Sequence, residues 1–316
     1  MYKSFYGLKR NPFEISPDPH FYCPTPQHNE ALACLHYGIH RKKGFVVVTG
    51  EVGTGKTLLL QCLFRWLSTH QVAFSHVFHT RLSSIEFLQY VLSDFGLPIH
   101  GKNKTELLIQ LNHYLINRHR QGATTALIID EGHLLDWEVL EEVRLLTNLE
   151  TVQQKLLQII LVGQPELDDK MDSADLRQLK QRISLRCRLR PLAEEELRGY
   201  VQRRLELAGS SFDGNALFSE DAFAAIAHYS TGIPRLINTI CENALITGFA
   251  RQQKLISREI IEQVAEDFRL STTSGTKKPR PVETSVEEML RVMHLSQPAR
   301  EAGPKLAVQG GRGTKE

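Results

Sequence analysis

The 316-residue chain has an apolar share of 41% and a charged share of 23%, the balance of an ordinary globular protein with room for one large domain and a small one. Lys and Arg total 38 against 36 Asp and Glu, a formal charge of +2, so bulk electrostatics exclude a general attraction for nucleic acid and leave room only for a local basic patch. Cys23, Cys34, Cys62, Cys187 and Cys241 form no C-x-x-C pair, which argues against a disulfide framework or zinc site and suits small core residues in a reducing cytosol.

Residues 1–27 hold Phe5, Tyr6, Phe13, Phe21 and Tyr22 among five prolines, which predicts an extended arm laid over a core. The prolines and acids stand where a leader peptide would have an apolar core, and no apolar run reaches the ~18 residues of a membrane span. The expected location is cytoplasmic, and peripheral at the inner membrane only through partners.

Leu32, Leu35 and Ile39 have helical spacing, and a short strand over 45–49 follows. The glycine-rich turn leads to a helix ending near Leu67, then a strand over 72–79. Ser83 with Glu86 forms an S-x-x-E capping box for the next helix, which Gly96-Leu97-Pro98 ends. A helix over 104–120, a buried strand over 125–130, a helix over 137–150 and a buried strand over 156–163 come next. "ISLRCRLRPL" (183–192) alternates apolar and basic residues, the period of a half-exposed edge strand. Apolar strands alternating with helices predict an α/β domain over 28–192 with a parallel sheet covered on both faces.

From 193 to 270 the pattern is helical only, at about 193–208, 219–230, 234–250 and 257–268, with Ser219 as an N-cap. This predicts a separate small helical domain. The tail 271–316 is too polar to fold alone and is expected to be disordered, apart from a candidate docking helix at 286–295.

"GEVGTGKT" fits G-x-x-x-x-G-K-[ST] at every fixed position and lies between a strand and a helix, the context that motif requires. Gly50, Glu51, Val52, Gly53, Thr54, Gly55, Lys56, Thr57 and Leu58 are therefore expected to cradle the phosphates of ATP. Lys56 would reach the β- and γ-phosphates, and the Thr57 hydroxyl would ligate Mg²⁺. "ALIIDE" ends a buried strand on Asp130 and Glu131, at the strand edge where ligands bind in open α/β sheets. Asp130 is expected in the metal shell, and Glu131 as the general base that activates water.

Gln164, after a further buried strand, is placed either beside the γ-phosphate or as a turn-former before Pro165. Arg177, Arg182, Arg186, Arg188 and Arg190 read either as a solvated basic face or as the source of an arginine reaching a neighbouring copy's γ-phosphate, with Arg182 first and Arg177 second. Arg235 opens a helix after Gly232 and Pro234, where it could swing onto the nucleotide as the small domain closes.

GEVGTGKT, IIDE, LVGQPEL and GIPRLIN together resemble AAA+ ATPases. The opening "FYGLKRNPFEISPDPHFY" with "HNEALACLHYGI" narrows the resemblance to bacterial ATPases of the ExeA or general secretion pathway protein A type, over residues 1 to about 268. It implies a P-loop fold with a five-stranded parallel sheet in the order 5-1-4-3-2, and a C-terminal all-α lid. Nucleotide would bind between them, with the arm and first helix flanking the adenine. Gln164 would take the sensor-1 position, Arg235 the sensor-2 position, and subunits would assemble as a ring.

Two departures stand out. The family reads Asp-Glu-Ala-Gln where this chain has Asp130-Glu131-Gly132-His133, and the lone His133 reads as a surface substitution. Longer members continue into a membrane helix and a peptidoglycan-binding domain, which makes the short pilus (MshM-like) or exosortase-linked exopolysaccharide type the expectation here. The expected function is ATP hydrolysis driving a protein partner in envelope assembly. The alternatives are a DNA-associated regulator like the transposition ATPases, or a nucleotide-gated scaffold with little hydrolysis.

Overall fold

The computed structural model describes residues 1–79, 81–209 and 217–270. The tail 271–316 and its candidate helix 286–295 lie outside the described residues. Five strands, β1 (Phe45–Gly50), β2 (Ala73–Val77), β3 (Thr125–Ile129), β4 (Leu157–Gly163) and β5 (Leu185–Leu189), form a parallel sheet in the order β2-β3-β4-β1-β5. This is the expected 5-1-4-3-2 order read from the other edge.

Successive side chains of a strand point to opposite faces, so a strand buried on both sides must be apolar throughout. Phe45, Val47, Leu127, Ile129, Ile159 and Leu161 enter one layer with Leu88 and Leu92 of α4 (Ser84–Asp94), Leu111 of α5 (Lys104–Arg120) and Val143 of α6 (Trp137–Leu146). Val46, Val48, Ala126, Ile128, Ile160 and Val162 enter the other with Leu35 of α2 (Pro26–His40) and Leu59 and Leu63 of α3 (Lys56–Thr69). β5 alternates as an edge strand does, with Leu189 buried while Arg186 and Arg188 are exposed.

The capping box of Ser83 and Glu86 is present at α4, and Asn103 with Glu106 makes a second one at α5. α6 ends at Leu146, short of the expected 150, because the chain turns there into an antiparallel bridge between Glu150 and Lys155 that leads to β4. Two short helices, α7 (Glu166–Met171) and α8 (Arg177–Lys180), fall where no helix was expected. One or two turns carry too little periodicity to show in a sequence.

Beyond the sheet lie α9 (Glu194–Leu207), α10 (Glu220–Ser230), α11 (Pro234–Ala250) and α12 (Arg258–Asp267), in the same compact unit. The N-terminal arm packs on these helices, with Tyr6, Phe13, Phe21 and Cys23 buried among Val201, Leu205, Phe218 and Ile240. It is not extended throughout. Tyr2–Phe5 forms a one-turn helix α1, Pro19–Phe21 a 3-10 turn, and α2 already begins at Pro26, capped by Thr25.

Polar groups fix the register of the arm. Arg204, buried in α9, donates to the carbonyls of Pro12 and Glu14 and to the Tyr200 hydroxyl, and its guanidinium lies 5.0 Å from the Phe21 ring. Glu242 of α11 accepts from the Tyr2 hydroxyl at 2.8 Å and the Asn11 amide at 3.0 Å. Replacing Arg204 by Leu strips two buried acceptors, the Pro12 carbonyl and the Tyr200 hydroxyl, and the part-buried Glu14 carbonyl of their donor, which should cost about 3 kcal/mol of unfolding free energy in a urea titration and speed proteolysis within residues 1–25. Unchanged stability would mean that the aromatic side chains alone hold the arm.

Candidate functional site

β1 leaves the sheet at Gly50, and the chain turns through Gly53 (φ +83°) and Gly55 (φ +100°) before α3 begins at Lys56. Both glycines are in the left-handed region that favours their type, and both are packed closely. A Cβ on Gly55 would stand 2.9 Å from His28 Nε2, and one on Gly53 would stand 2.8 Å from Arg235 Cβ. The Lys56 ammonium is buried inside the turn and donates to the carbonyls of Gly50 at 2.7 Å and Glu51 at 3.0 Å. Burial holds its pKa below the ordinary lysine range, against the opposing charges of Glu131 and Asp130.

His28, which the sequence did not single out, braces this loop from α2. Its Nε2 lies 2.9 Å from the Thr54 carbonyl and its Nδ1 2.6 Å from the Thr25 hydroxyl. A carbonyl can only accept, so Nε2 carries the proton and Nδ1 accepts from Thr25. Burial lowers the His28 pKa, which suits this neutral form. The only signal was a histidine beside the Pro26 helix start, which is too common to read.

β3 delivers Asp130 and Glu131 to the same end of the sheet. Asp130 is 9% exposed and accepts from the Glu131 amide at 2.8 Å. Burial raises its pKa. Glu131 has a left-handed backbone (φ 52°), uncommon for its type, and one carboxylate oxygen, Oε2, is buried with no hydrogen bond among the described residues. Gly132 passes so close to β4 that a Cβ would meet Leu161 Cδ1 at 2.5 Å.

His133 is not a surface substitution. Its side chain is 9% exposed, with Nδ1 3.4 Å from Glu131 Oε2, and the Gln164 amide donates to the same nitrogen at 3.4 Å. Parallel strands end side by side, so the residue after β4 and the turn after β3 must meet. Gln164 is thus beside the Asp130–Glu131 corner.

Arg235 reaches the loop from α11, its amide donating to the Gly53 carbonyl at 3.1 Å while its side chain is exposed. Pro234 at the first helical position keeps this entry rigid. Arg182 is not brought to the loop of its own chain. It stands just before β5, where Ser184 bonds to the Phe45 carbonyl, the first residue of β1. That is about 17 Å of strand away from the loop. Arg186 is engaged in an ion pair with Asp168, which also accepts from the Thr49 hydroxyl at 3.0 Å.

Residues 39–171 match the AAA domain family. The chain contains an AAA domain. It is also a homologue of General secretion pathway protein A of Aeromonas hydrophila, 41% identical over 263 residues, which are 82% of this chain and 47% of that one. This AAA-domain chain thus spans about half the length of that relative.

Among solved structures, the Aeropyrum pernix ORC2 protein in its ADPNP–ADP complexes superposes with a TM-score of 0.61 at 16% identity, over 85% of this chain and 74% of that one. The Thermotoga maritima RuvB Holliday junction branch migration motor superposes with a TM-score of 0.51 at 16% identity, over 77% and 69%. At these identities the likeness is one of fold. It is the fold of AAA+ P-loop proteins.

Asp130 links this site to stability. A carboxyl pushed up by burial penalises the ligand-free fold at neutral pH, and the penalty is relieved as pH falls through the raised value. The neutral Asp130→Asn protein should therefore melt roughly 2–4 °C higher than wild type at pH 7.5, the shift expected of ~1 kcal/mol, with the gap closing in acid. A lower melting point at pH 7.5 would show that the carboxylate is a structural acceptor instead.

Proposed function

We propose that this AAA-domain protein binds Mg²⁺–ATP at the loop Gly50–Leu58 and hydrolyses it to ADP and phosphate. The observation that carries the reading is one cradle shared by the desolvated Lys56, the Asp130–Glu131 corner and the first turn of α11. A buried ammonium resting on two loop carbonyls and a buried carboxylate with an exposed threonine nearby in sequence suit a polyphosphate and its divalent cation. Thr57 and Asp130 would hold Mg²⁺, which supplies positive charge against the phosphate oxygens.

In this reading Lys56 exchanges its loop carbonyls for β- and γ-phosphate oxygens. The Glu131 carboxylate takes a proton from water as the water oxygen bonds to the γ-phosphorus and the bond to the ADP oxygen breaks. The Gln164 side chain orients the γ-phosphate and water. Arg235 closes the helical lid onto the nucleotide, and Arg182 serves the site of a neighbouring copy in a ring. Lid motion is passed to a protein partner of a bacterial secretion, pilus or exopolysaccharide assembly system. The relation to General secretion pathway protein A supports that assignment. Among the described residues no helix is long and apolar enough to cross a membrane.

Lys56→Ala should weaken binding of a fluorescent ATP analogue at least ~10-fold and abolish phosphate release. Glu131→Gln should bind as wild type while its turnover drops about 10²–10³-fold. Duplex DNA should leave the wild-type rate unchanged. Wild-type turnover in Glu131→Gln would refute the base assignment, and a rate several-fold higher with DNA would favour the DNA-associated alternative.

A further inference from the structure

His133 sits where two requirements compete for one nitrogen. Its turn, Gly132–Leu134, is pinned from several sides. Gly132 lies against Leu161, the His133 amide nitrogen is 3.2 Å from where a Cβ of Gly163 would be, and Lys170 of α7 donates to the carbonyls of His133 (3.1 Å) and Leu135. The ring is thereby held with Nδ1 3.4 Å from both Glu131 Oε2 and the Gln164 amide. An imidazole nitrogen without a proton can accept from the amide, and one with a proton can donate to the carboxylate. It cannot do both. Glu131 Oε2 is meanwhile buried without a hydrogen bond among the described residues, an oxygen placed to receive a donor.

We infer that His133 is a positioning residue that couples the Glu131 carboxylate to the Gln164 backbone, its Nδ1 pairing with one or the other. With Nδ1 bare, the ring accepts the Gln164 amide and leaves the Glu131 carboxylate without a donor, so its exposed oxygen keeps full basicity toward the attacking water. With Nδ1 protonated, the ring donates to Glu131 Oε2, draws charge from the carboxylate and leaves the Gln164 amide without its acceptor. A shift of the Gln164 backbone when phosphate leaves would therefore be felt at the base through this ring.

The charged groups around His133 are Glu131 on its own loop and, from α7, Lys170, with Glu166 of α7 placed toward Lys56. β4, packed beneath, has no titratable side chain. A glutamine, which the related pattern carries at this position, can donate and accept at once but holds no exchangeable charge.

The inference rests on the reading of Glu131 as base, so its test has one arm that needs no hydrolysis. In the full-length protein, ¹⁵N NMR of the histidine rings, with His133 assigned by the signal missing from His133→Gln, should show the His133 Nδ1 resonance displaced in Glu131→Gln relative to wild type at one fixed pH, because its carboxylate neighbour is gone. An unchanged resonance overturns the inference. In the second arm, wild-type kcat should fall about tenfold on acidification through the range where histidines ordinarily gain a proton. His133→Gln should keep at least about half the kcat at high pH, lose that acid fall and leave KM within about twofold. His133→Ala should lower kcat roughly tenfold with KM unchanged. The same acid profile in His133→Gln, or wild-type kcat in His133→Ala, overturns the inference. Absence of hydrolysis in wild type, with the NMR shift present, would refute the proposed function and leave the His133–Glu131 pairing standing.

Discussion

One backbone hydrogen bond, from the Arg235 amide to the Gly53 carbonyl at 3.1 Å, joins the glycine loop to the helical domain. It exists because Gly53 has no side chain, since a Cβ there would press on Arg235 Cβ and Ile233 Cγ2. The entry to α11 is equally constrained. Gly232 has φ +77° and passes so near Leu192 that a Cβ would lie 2.1 Å from its carbonyl, while the Leu192 amide bonds back to the Gly232 carbonyl at 2.7 Å. Arg235 is therefore fixed against the loop at its backbone while its side chain is exposed. From α11 the constraint runs outward through Glu242 and the α9 residue Arg204 to the arm, which packs on the C-terminal helices, with its Pro19–Phe21 turn also touching α3.

Burial acts on both charges of the cradle. It pushes Lys56 down and Asp130 up, so each is driven toward its neutral form while the site lacks a countercharge. An anion beside Lys56 and a cation beside Asp130 reverse both effects together. Under the proposed function the site would thus be a source of strain in the ligand-free fold and of affinity in the bound one, a common bargain between stability and function.

Much of this was legible in the sequence. α5 runs over Lys104–Arg120 as its apolar spacing indicated, and the capping residues Ser83 and Ser219 stand where they were read. The glycine loop between β1 and α3 and the place of Asp130–Glu131 at the end of β3 were legible because each is set by a short, contiguous stretch. What escaped depends on contacts distant in the chain. His28 became a loop brace, and His133 a buried neighbour of Glu131 and Gln164, only once helix α2 and strand β4 had been placed beside them. The aromatic arm announced that it would be buried but not on which surface.

The central claim is that loop and lid respond to one nucleotide. Amide hydrogen exchange, with and without Mg²⁺–ATP, tests it at the first turn of α11 (residues 234–238) and at residues 50–58. The account predicts that both segments slow together when nucleotide is added. Protection of 50–58 with 234–238 unchanged would contradict it, leaving a phosphate loop to which the lid is only a neighbour.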